Sequence, residues 1–502
     1  MLKAKSHIFL FSIVLIAALF FRFYGLDNSL LHHDEAVNGH FTFNLYEGRN
    51  YYYDPLNYHG PTFYFFTLIP FTLFGPSIFA LRFMPAILGL LIILLIYALH
   101  KYHNHKFIII SSALVASSPI LVYYSRYAIH EMLLLFFTCS LALSIYFYIK
   151  EQNIFYLYLA AISTALMLAT KETAYITLVI FAFILLLMTY KQRGFTKVNI
   201  KDFPGPFVAF LLIYIAFFSS FFTDFNGIRR SSSAILHYLQ LGASSGLHVK
   251  PVYYYISLIA YYEIIPLIIA MLALFYKDKS PLFSFLKLWF ILTLLAYSLI
   301  PYKTPWISMN ILLPMLLLSS YALSEYLKKV RFQRATYVLI VLILAISIIF
   351  TIQTSFLYPN EDEHNKLAYA HTNEEVLILL SNLSLYNSEK PITIQLDKYN
   401  QWPLPWYFKK AGYKVESNKT LWNEIQSLSN CSSQLPISYE ELVQITNTLN
   451  NSIVLTYEED YPCLLILSYK MERYQLRDNI WLNIWSPIPD QTIKAQNAIA
   501  IS

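Results

Sequence analysis

Pro61-Thr62-Phe63-Tyr64-Phe65-Phe66-Thr67-Leu68-Ile69-Pro70-Phe71-Thr72-Leu73-Phe74 is the segment from which the topology of the whole chain follows. It is apolar, but it spans about 14 residues and is broken by Pro70, short of the roughly 20 that a bilayer crossing needs. Counting it as a crossing would leave His100-Lys101-Tyr102-His103-Asn104-His105-Lys106 outside, against the preference for positive charge on the cytoplasmic side. Read as an interfacial helix, it puts that loop inside.

The other segments agree with this choice. The first apolar run, about residues 8 to 24, follows Lys3 and Lys5, which places the N-terminus in the cytoplasm and residue 25 onward outside. No small-residue cleavage site follows it, so it reads as a retained helix and not a removed signal peptide. Lys150-Glu151, the group Lys191, Arg193, Lys197 and Lys201, the pair Lys277 and Lys279, and Lys328 to Arg334 then all fall inside. The chain is expected to cross about eleven times, N-terminus in and C-terminus out, with a first external loop over 25–81. The expected location is the plasma membrane, multi-pass, with the site-bearing loops on the extracytoplasmic face.

Composition excludes the soluble classes. Of 502 residues 57% are hydrophobic, 13% charged and 17% aromatic, and mean hydropathy is positive. The net charge of +6 sits mainly in short Lys/Arg loops, a topology signal and not a nucleic-acid surface. The 42 Tyr and 38 Phe exceed what interfacial belts need, so many should line helix packing surfaces or a cavity for a long apolar ligand. Cys139, Cys431 and Cys463 form no metal-like spacing; Cys139 reads as a buried thiol, and Cys431 and Cys463 could pair in an oxidising compartment.

Residues 1–357 therefore read as a polytopic α-helical membrane domain. From Tyr358 to 502 the composition turns polar, with strand-like runs at Ile392–Leu396, Ile453–Tyr457 and Trp481–Trp485 and a helix-like run from Asn373 to Leu383, the pattern of an external α/β domain. Sequons at Asn382, Asn418, Asn430 and Asn450 agree with an external position.

The external loops gather the chemistry. His32-His33-Asp34-Glu35 and His59 belong to the first, Arg126, His130 and Glu131 to the second, Lys171-Glu172 to the third, and Lys303 lies in Tyr302-Lys303-Thr304-Pro305-Trp306. Carboxylates, imidazoles and cations at one interface suit group transfer from a phosphate leaving group: a base deprotonates the acceptor and cations stabilise the departing phosphate. Blander readings stay open. Asp34 and Glu35 could form a solvated helix start with Asp34 as cap, Arg126 could anchor a helix in headgroups, and Lys171 could simply pair with Glu172. The tyrosines of Tyr51-Tyr52-Tyr53-Asp54-Pro55 and Tyr58-His59-Gly60-Pro61 could stack on a sugar face or belong to an interfacial belt.

Over roughly residues 8 to 330 the chain resembles the membrane-embedded GT-C glycosyltransferases that use lipid-phosphate sugars, the class of the protein O-mannosyltransferases and aminoarabinose transferases. The resemblance is carried by Asp34-Glu35, Tyr58-His59-Gly60-Pro61, Leu73-Phe74-Gly75, Arg82-Phe83-Met84-Pro85, Ser125-Arg126 and Glu131. A closer resemblance, to the flippase activity-associated subfamily, rests on His32-His33-Asp34-Glu35-Ala36, Tyr58-His59-Gly60-Pro61, Lys171-Glu172-Thr173-Ala174, Tyr302-Lys303-Thr304-Pro305-Trp306 and Trp402-Pro403-Leu404-Pro405-Trp406-Tyr407. The class resemblance implies an acidic residue of the first external loop as catalytic base, here Asp34 with Glu35 adjacent. It maps a second-loop acidic residue to Glu131, where this chain departs from the Asp usual in the mannosyltransferases.

The expected reaction is an inverting transfer from a polyprenyl-phosphate sugar to an acceptor hydroxyl on glycan, lipid or protein, with no nucleic-acid partner. Arg126 and Lys303 would hold the leaving phosphate. His33, Tyr58, His59, His130, Glu131, Lys171, Glu172 and Trp306 would contact substrate, and His33, Asp34 and Glu131 form the candidate ligand set for a divalent ion, Mg, Mn or Zn, should the chemistry use one. The competing expectation is a flippase, or flippase accessory, for lipid-linked sugars without chemistry; it would carry polar residues through the bilayer depth, whereas these concentrate at one face.

Overall fold

A computed structural model describes residues 2–55, 59–190, 199–243, 248–361, 363–369, 371–372, 375–378, 393–396, 403–410, 414–416, 452–457, 469–477 and 480–487. Tyr58, Trp402, Cys431, Cys463 and the four sequons lie outside them. The chain divides into two compact units, residues 1–29 with 41–369, and residues 30–40 with 370–502.

The first unit is helical. After α1 (Leu2–Phe23) and α2 (His33–Tyr46, whose first residues belong to the other unit), the expected interfacial segment forms α3 (Thr62–Phe74) with Pro70 inside it. α4 (Ile78–Ala98) starts where the Ser77 hydroxyl accepts from the Ala80 N–H at 3.1 Å, and α5 (His105–Ser117) where the Asn104 side chain accepts from Phe107 N–H at 2.8 Å. Then follow α6 (Pro119–Ser125), α7 (Glu131–Glu151), α8 (Ile154–Leu168), α9 (Ala174–Tyr190), α10 (Pro204–Phe218) and α11 (Asn226–Ala243). The last four are α12 (Tyr254–Ala273), α13 (Pro281–Leu299), α14 (Ser308–Tyr326) and α15 (Gln333–Ile352). Among the described residues six helices are long and apolar enough to cross a membrane, and the bent pair α5–α6 makes a seventh.

α14 is the axis of this unit. Its apolar window is covered on all sides, by α12, α13 and α5 among others, whereas the window of α15 is mostly uncovered. The serines of α14 spend their hydroxyls on backbone carbonyls: Ser319 on Met315 and on Pro266 of α12, Ser320 on Leu316, each at 2.7 Å. Such bonding lets a polar helix sit where no water reaches.

Two breaks interrupt the bundle, and both are supplied with partners. α6 turns from α5 by 59°, leaving the last carbonyls of α5 without intrahelical donors. Arg22 of α1 donates to Val115 O at 3.1 Å and Ala116 O at 3.3 Å, Thr351 of α15 to Ser117 O at 2.8 Å, and Ser118 caps α6. The space for the Arg22 side chain exists because residue 89 has no Cβ: one built there would stand 2.9 Å from Arg22 Nε and 2.8 Å from Ser125 Cβ. α12 breaks at Glu263 (φ −134°, ψ 36°), three residues before Pro266, and the Ser319 hydroxyl takes the Pro266 carbonyl.

The unit continues twelve residues beyond the boundary expected at 357, because the following turn is tied back to the helices. Tyr123 Oη donates to Pro359 O (2.8 Å), Tyr124 Oη to Leu367 O (2.9 Å), and the Asn365 amide to Thr354 O and Tyr358 O (3.1 Å each).

The second unit holds a five-stranded sheet in the order β2-β1-β3-β5-β4: β1 (Thr393–Leu396), β2 (Lys414–Glu416), β3 (Ser452–Tyr457), β4 (Tyr469–Arg477) and β5 (Ile480–Pro487). β1 pairs in parallel with β2 and β3, with Ile394 opposite Val415 and Ile453. β5 pairs antiparallel with β3 and with β4. Three strands fall on the runs expected from sequence. β2 is too short to carry a pattern, and β4 holds Lys470, Glu472, Arg473 and Arg477, a composition suited to the sheet edge where it lies. The unit also includes a short helix, α16 (Leu404–Lys410), whose Tyr407 hydroxyl accepts from the Leu31 N–H at 3.0 Å, while Thr372 donates to Leu31 O at 2.6 Å. These bonds explain why residues 30–40 group with the C-terminal part.

Gly89→Ala should force α4 away from Arg22 and Ser125, an overpacking cost of about 1–3 kcal/mol. The purified variant is expected to melt several degrees below the parent chain; an unchanged melting temperature would show that the α1–α4–α6 contact is looser than described.

Candidate functional site

Within the helical unit, three of the loops singled out by sequence converge. Backbone pairing joins the first and third: Gly60 N–H donates to Thr170 O (3.1 Å) and Thr62 N–H to Ala169 O (3.0 Å). Gly60 permits this approach, since a Cβ there would stand 2.2 Å from the Ala169 oxygen. The second loop closes on the first through His130, whose Nε2 donates to Gly60 O at 3.2 Å.

This backbone frame brings the side chains together in one ion pair and one imidazole–carboxylate hydrogen bond. Lys171 reaches Glu131 at the start of α7, and both are buried. His59, about one-third exposed, donates from Nδ1 to Glu172 Oε2 at 2.8 Å, and Tyr53 Oη donates to Glu172 Oε1 at 3.4 Å. Adjacent in sequence, Lys171 and Glu172 thus serve different partners, which corrects the reading of a self-paired dipeptide. His59, Phe63 and Tyr64 surround the His130 ring at centroid distances of 5.3, 5.0 and 5.6 Å.

Burial, with His59 and Lys171 adding to it, holds the His130 imidazole well below its usual range. It is therefore neutral, with its proton on the nitrogen that faces the Gly60 carbonyl.

Lys303 and Trp306 lie on another loop of the same unit. The Lys303 ammonium is held by the carbonyls of Lys250 (3.3 Å) and Ile300, and burial lowers its pKa; the backbone N–H of Lys303 donates to His248 O (2.9 Å). Trp306 packs edge-on against Tyr124 and Tyr369, and Tyr255 Oη donates to Thr304 O at 3.2 Å. Tyr124 and Tyr255, which touch this loop, also lie within electrostatic reach of Glu131, as does Tyr297. Sequence reading missed Tyr124, Tyr255 and Tyr297 as individuals and singled out Tyr53 only within the Tyr51–Pro55 run; the excess of tyrosine was the available signal.

Arg126 ends α6 and donates to Phe21 O (3.1 Å), Arg22 O (3.4 Å), Tyr24 O (2.8 Å) and Gly25 O (2.8 Å), closing the C-terminus of α1. Burial, followed by the neighbouring Arg82, pushes its pKa down to about 10, which leaves it a cation at neutral pH. Among the described residues neither Arg126 nor Lys303 forms an ion pair, so carbonyls orient both charges without neutralising them.

In the C-terminal unit, the tetrad opens α2 with a reciprocal cap. The Asp34 N–H donates to His32 Nδ1 at 3.0 Å, and the His32 N–H donates to Glu35 Oε2 at 2.9 Å. The cap is thus built by His32 and Glu35, a correction to the reading of Asp34 as capping residue. Glu35 is completely buried by this role, while His33 and Asp34 are half-buried. His33 and Asp34 belong to this unit and Glu131 to the other; among the described residues no group of three His, Cys, Asp or Glu is arranged to hold a metal ion.

A buried pair broken on one side leaves an uncompensated charge, at a cost of about 3–5 kcal/mol. Glu131→Leu and Lys171→Met should each lower folded yield sharply, and the double variant should recover most of it; additive losses would show that the two groups do not act as a pair. The depressed His130 pKa fixes a second sign. The unfolded chain, titrating at about 6.5, binds a proton that the folded state refuses, so stability falls as pH drops below about 6.5. In thermal melts between about pH 7.5 and about pH 5, His130→Gln should lose less stability than the parent; equal losses would remove His130 from the acid response.

Residues 58–222 match the family model described as dolichyl-phosphate-mannose-protein mannosyltransferase. No curated protein matches the chain in sequence. Among solved structures, ArnT from Cupriavidus metallidurans in the apo state superposes with a TM-score of 0.63 at 11% identity, over 96% of this chain and 98% of that one. The same protein bound to undecaprenyl phosphate gives 0.66 at 12% identity, over the same shares. The S. cerevisiae protein O-mannosyltransferase Pmt1–Pmt2 complex bound to the sugar donor matches over 44% of this chain and 34% of that one, with 19% identity and a TM-score of 0.36. The chain therefore has the polytopic helical membrane fold of the GT-C class, shared with ArnT across nearly its full length.

Proposed function

We propose that this chain is a membrane glycosyltransferase that takes a sugar from a polyprenyl-phosphate donor and passes it to an acceptor hydroxyl. The observation that carries the reading is the near end-to-end likeness to ArnT, which has been solved with undecaprenyl phosphate, together with the mannosyltransferase model over residues 58–222. The finer likeness to the flippase activity-associated subfamily rests on the sequence motifs alone.

Asp34 is the general base. It is half-buried at the start of α2, whereas the adjacent Glu35 is held in the cap and is out of contact with solvent. Asp34 removes the acceptor proton as the hydroxyl attacks the anomeric carbon, the bond to the phosphate oxygen breaks on the opposite side, and the configuration inverts. Arg126 and Lys303, cations without ion-pair partners among the described residues, stabilise the departing phosphate through their field. Tyr58, His59, His130, Glu131, Lys171, Glu172 and Trp306 shape the substrate-binding region, and His33 contacts the sugar.

The same reading places these groups on the extracytoplasmic face of the plasma membrane. It takes α1, α8, α9 and α10 as crossings beside the longer helices, which makes eleven, and treats the C-terminal unit as an external α/β domain.

Asp34→Asn keeps shape and removes the base. With radiolabelled polyprenyl-phosphate hexose, this variant should transfer sugar at least about 100-fold more slowly while binding the donor within a few-fold of the parent. A near-parental rate would remove Asp34 from the chemistry, and movement of intact donor between leaflets without release of polyprenyl phosphate would replace the transferase by a translocase.

A further inference from the structure

The helical unit contains a cavity far from the site just described. It is lined by the second half of α7, from Cys139 through Leu143 and Tyr146 to Lys150, and by Phe285 and Trp289 of α13, with α4, α9 and α14 closing it. Its volume is about 70 Å³, room for part of one hydrocarbon chain. Lys150 lies about 28 Å along α7 from Glu131, at 1.5 Å per residue. The cavity therefore opens at the end of the bundle that carries the basic loops.

Its lining is apolar save at the mouth, where Lys150 is the one charged lining residue. Of the other cations near this end, Lys101 pairs with Glu151 at 2.8 Å, Lys328 pairs with Glu325 at 2.6 Å, Lys106 donates to Leu327 O at 3.1 Å, and Lys329 lies over the Tyr276 and Tyr326 rings. Among the described residues Lys150 has only the face of Tyr146, 5.8 Å away, and its side chain is exposed. The local field is positive. Burial, then Lys150 and Lys328, push the His103 imidazole down to about 4, so His103 adds no charge of its own and accepts or donates only to Tyr146 Oη at 2.8 Å.

In a bilayer an apolar cavity gives no net hydrophobic gain to an acyl chain, since surrounding lipid is equally apolar. What favours an occupant is dispersion attraction, which the walls forgo while they face a void, and what selects it is charge at the mouth. We infer that this cavity takes part of one acyl chain of an anionic phospholipid, with its phosphate at the Lys150 ammonium. This is a lipid site separate from the donor-binding region and independent of the proposed transfer.

Photo-crosslinking of the full chain in nanodiscs tests it. Phosphatidylglycerol and phosphatidylcholine carrying the same diazirine acyl chain are compared, and adducts are mapped by mass spectrometry on the α7 segment from Cys139 to Lys150. The glycerol lipid should label this segment about five-fold more than the choline lipid, the discrimination expected of one lysine near an anionic headgroup. Lys150→Ala, a change at an exposed position that leaves the packing intact, should reduce that labelling to the choline level, and Lys150→Arg should keep it. Equal labelling by the two lipids, or labelling unchanged in Lys150→Ala, overturns the proposal. Displacement of phosphatidylglycerol by excess polyprenyl phosphate also overturns it, by making the cavity a donor-tail site.

Discussion

A backbone that stops being helical inside a membrane must find its hydrogen bonds in the protein, and the organisation of the helical unit follows from how it meets this demand at the α5–α6 break. The carbonyls at the end of α5 are taken by Arg22 from α1 and Thr351 from α15, so the first and last helices of the unit are bound to one turn of chain. A buried guanidinium is costly alone, but the C-terminal carbonyls of a helix carry the partial negative charge that suits it. α6 leaves this turn at a fixed angle, and its end delivers Arg126 to the C-terminus of α1 and the following loop to the Gly60 frame. The position of His130 and Glu131 is thus settled by a helix break that neither residue touches.

The Lys171–Glu131 pair shows the same division of labour. Both groups are buried, and their charges cancel within the protein, which makes the pair a clasp between the second and third loops. Among the described residues Arg126 and Lys303, like Arg22, have no ion-pair partner and are fixed by carbonyl oxygens. A cation held by dipoles keeps its full charge for a ligand, whereas one held by a carboxylate does not. The arrangement separates residues that assemble the site from residues that give it a field.

Much of the fold could be read from the residues because charge placement and span length obey simple rules. Pro61–Phe74 forms a helix too short for a crossing, and the strand-like runs near 394, 454 and 482 are strands. What sequence could not convey was partnership. Lys171 and Glu172 are neighbours, yet a turn sends one inward and the other toward His59. His32 serves as the cap of α2, a role usually filled by Ser, Thr or Asp and so invisible to composition. Arg126 fits both readings offered for it, an anchor by its hydrogen bonds and a cation that forms no ion pair among the described residues. The break between α5 and α6 leaves little trace in the sequence, since Ser117-Ser118-Pro119 is mild punctuation in an apolar run.

α14 has a consequence for how the molecule is made. It is the least hydrophobic of the six long spans, with hydropathy 1.5, and it is the one covered on every side. Lipid offers its serines and Asn310 little, while a protein groove offers partners at each turn. Its chief neighbours α12 and α13 immediately precede it in the chain. During synthesis they are therefore already in the bilayer when α14 leaves the ribosome, and the helix that needs a protein environment most is made when that environment has just been laid down.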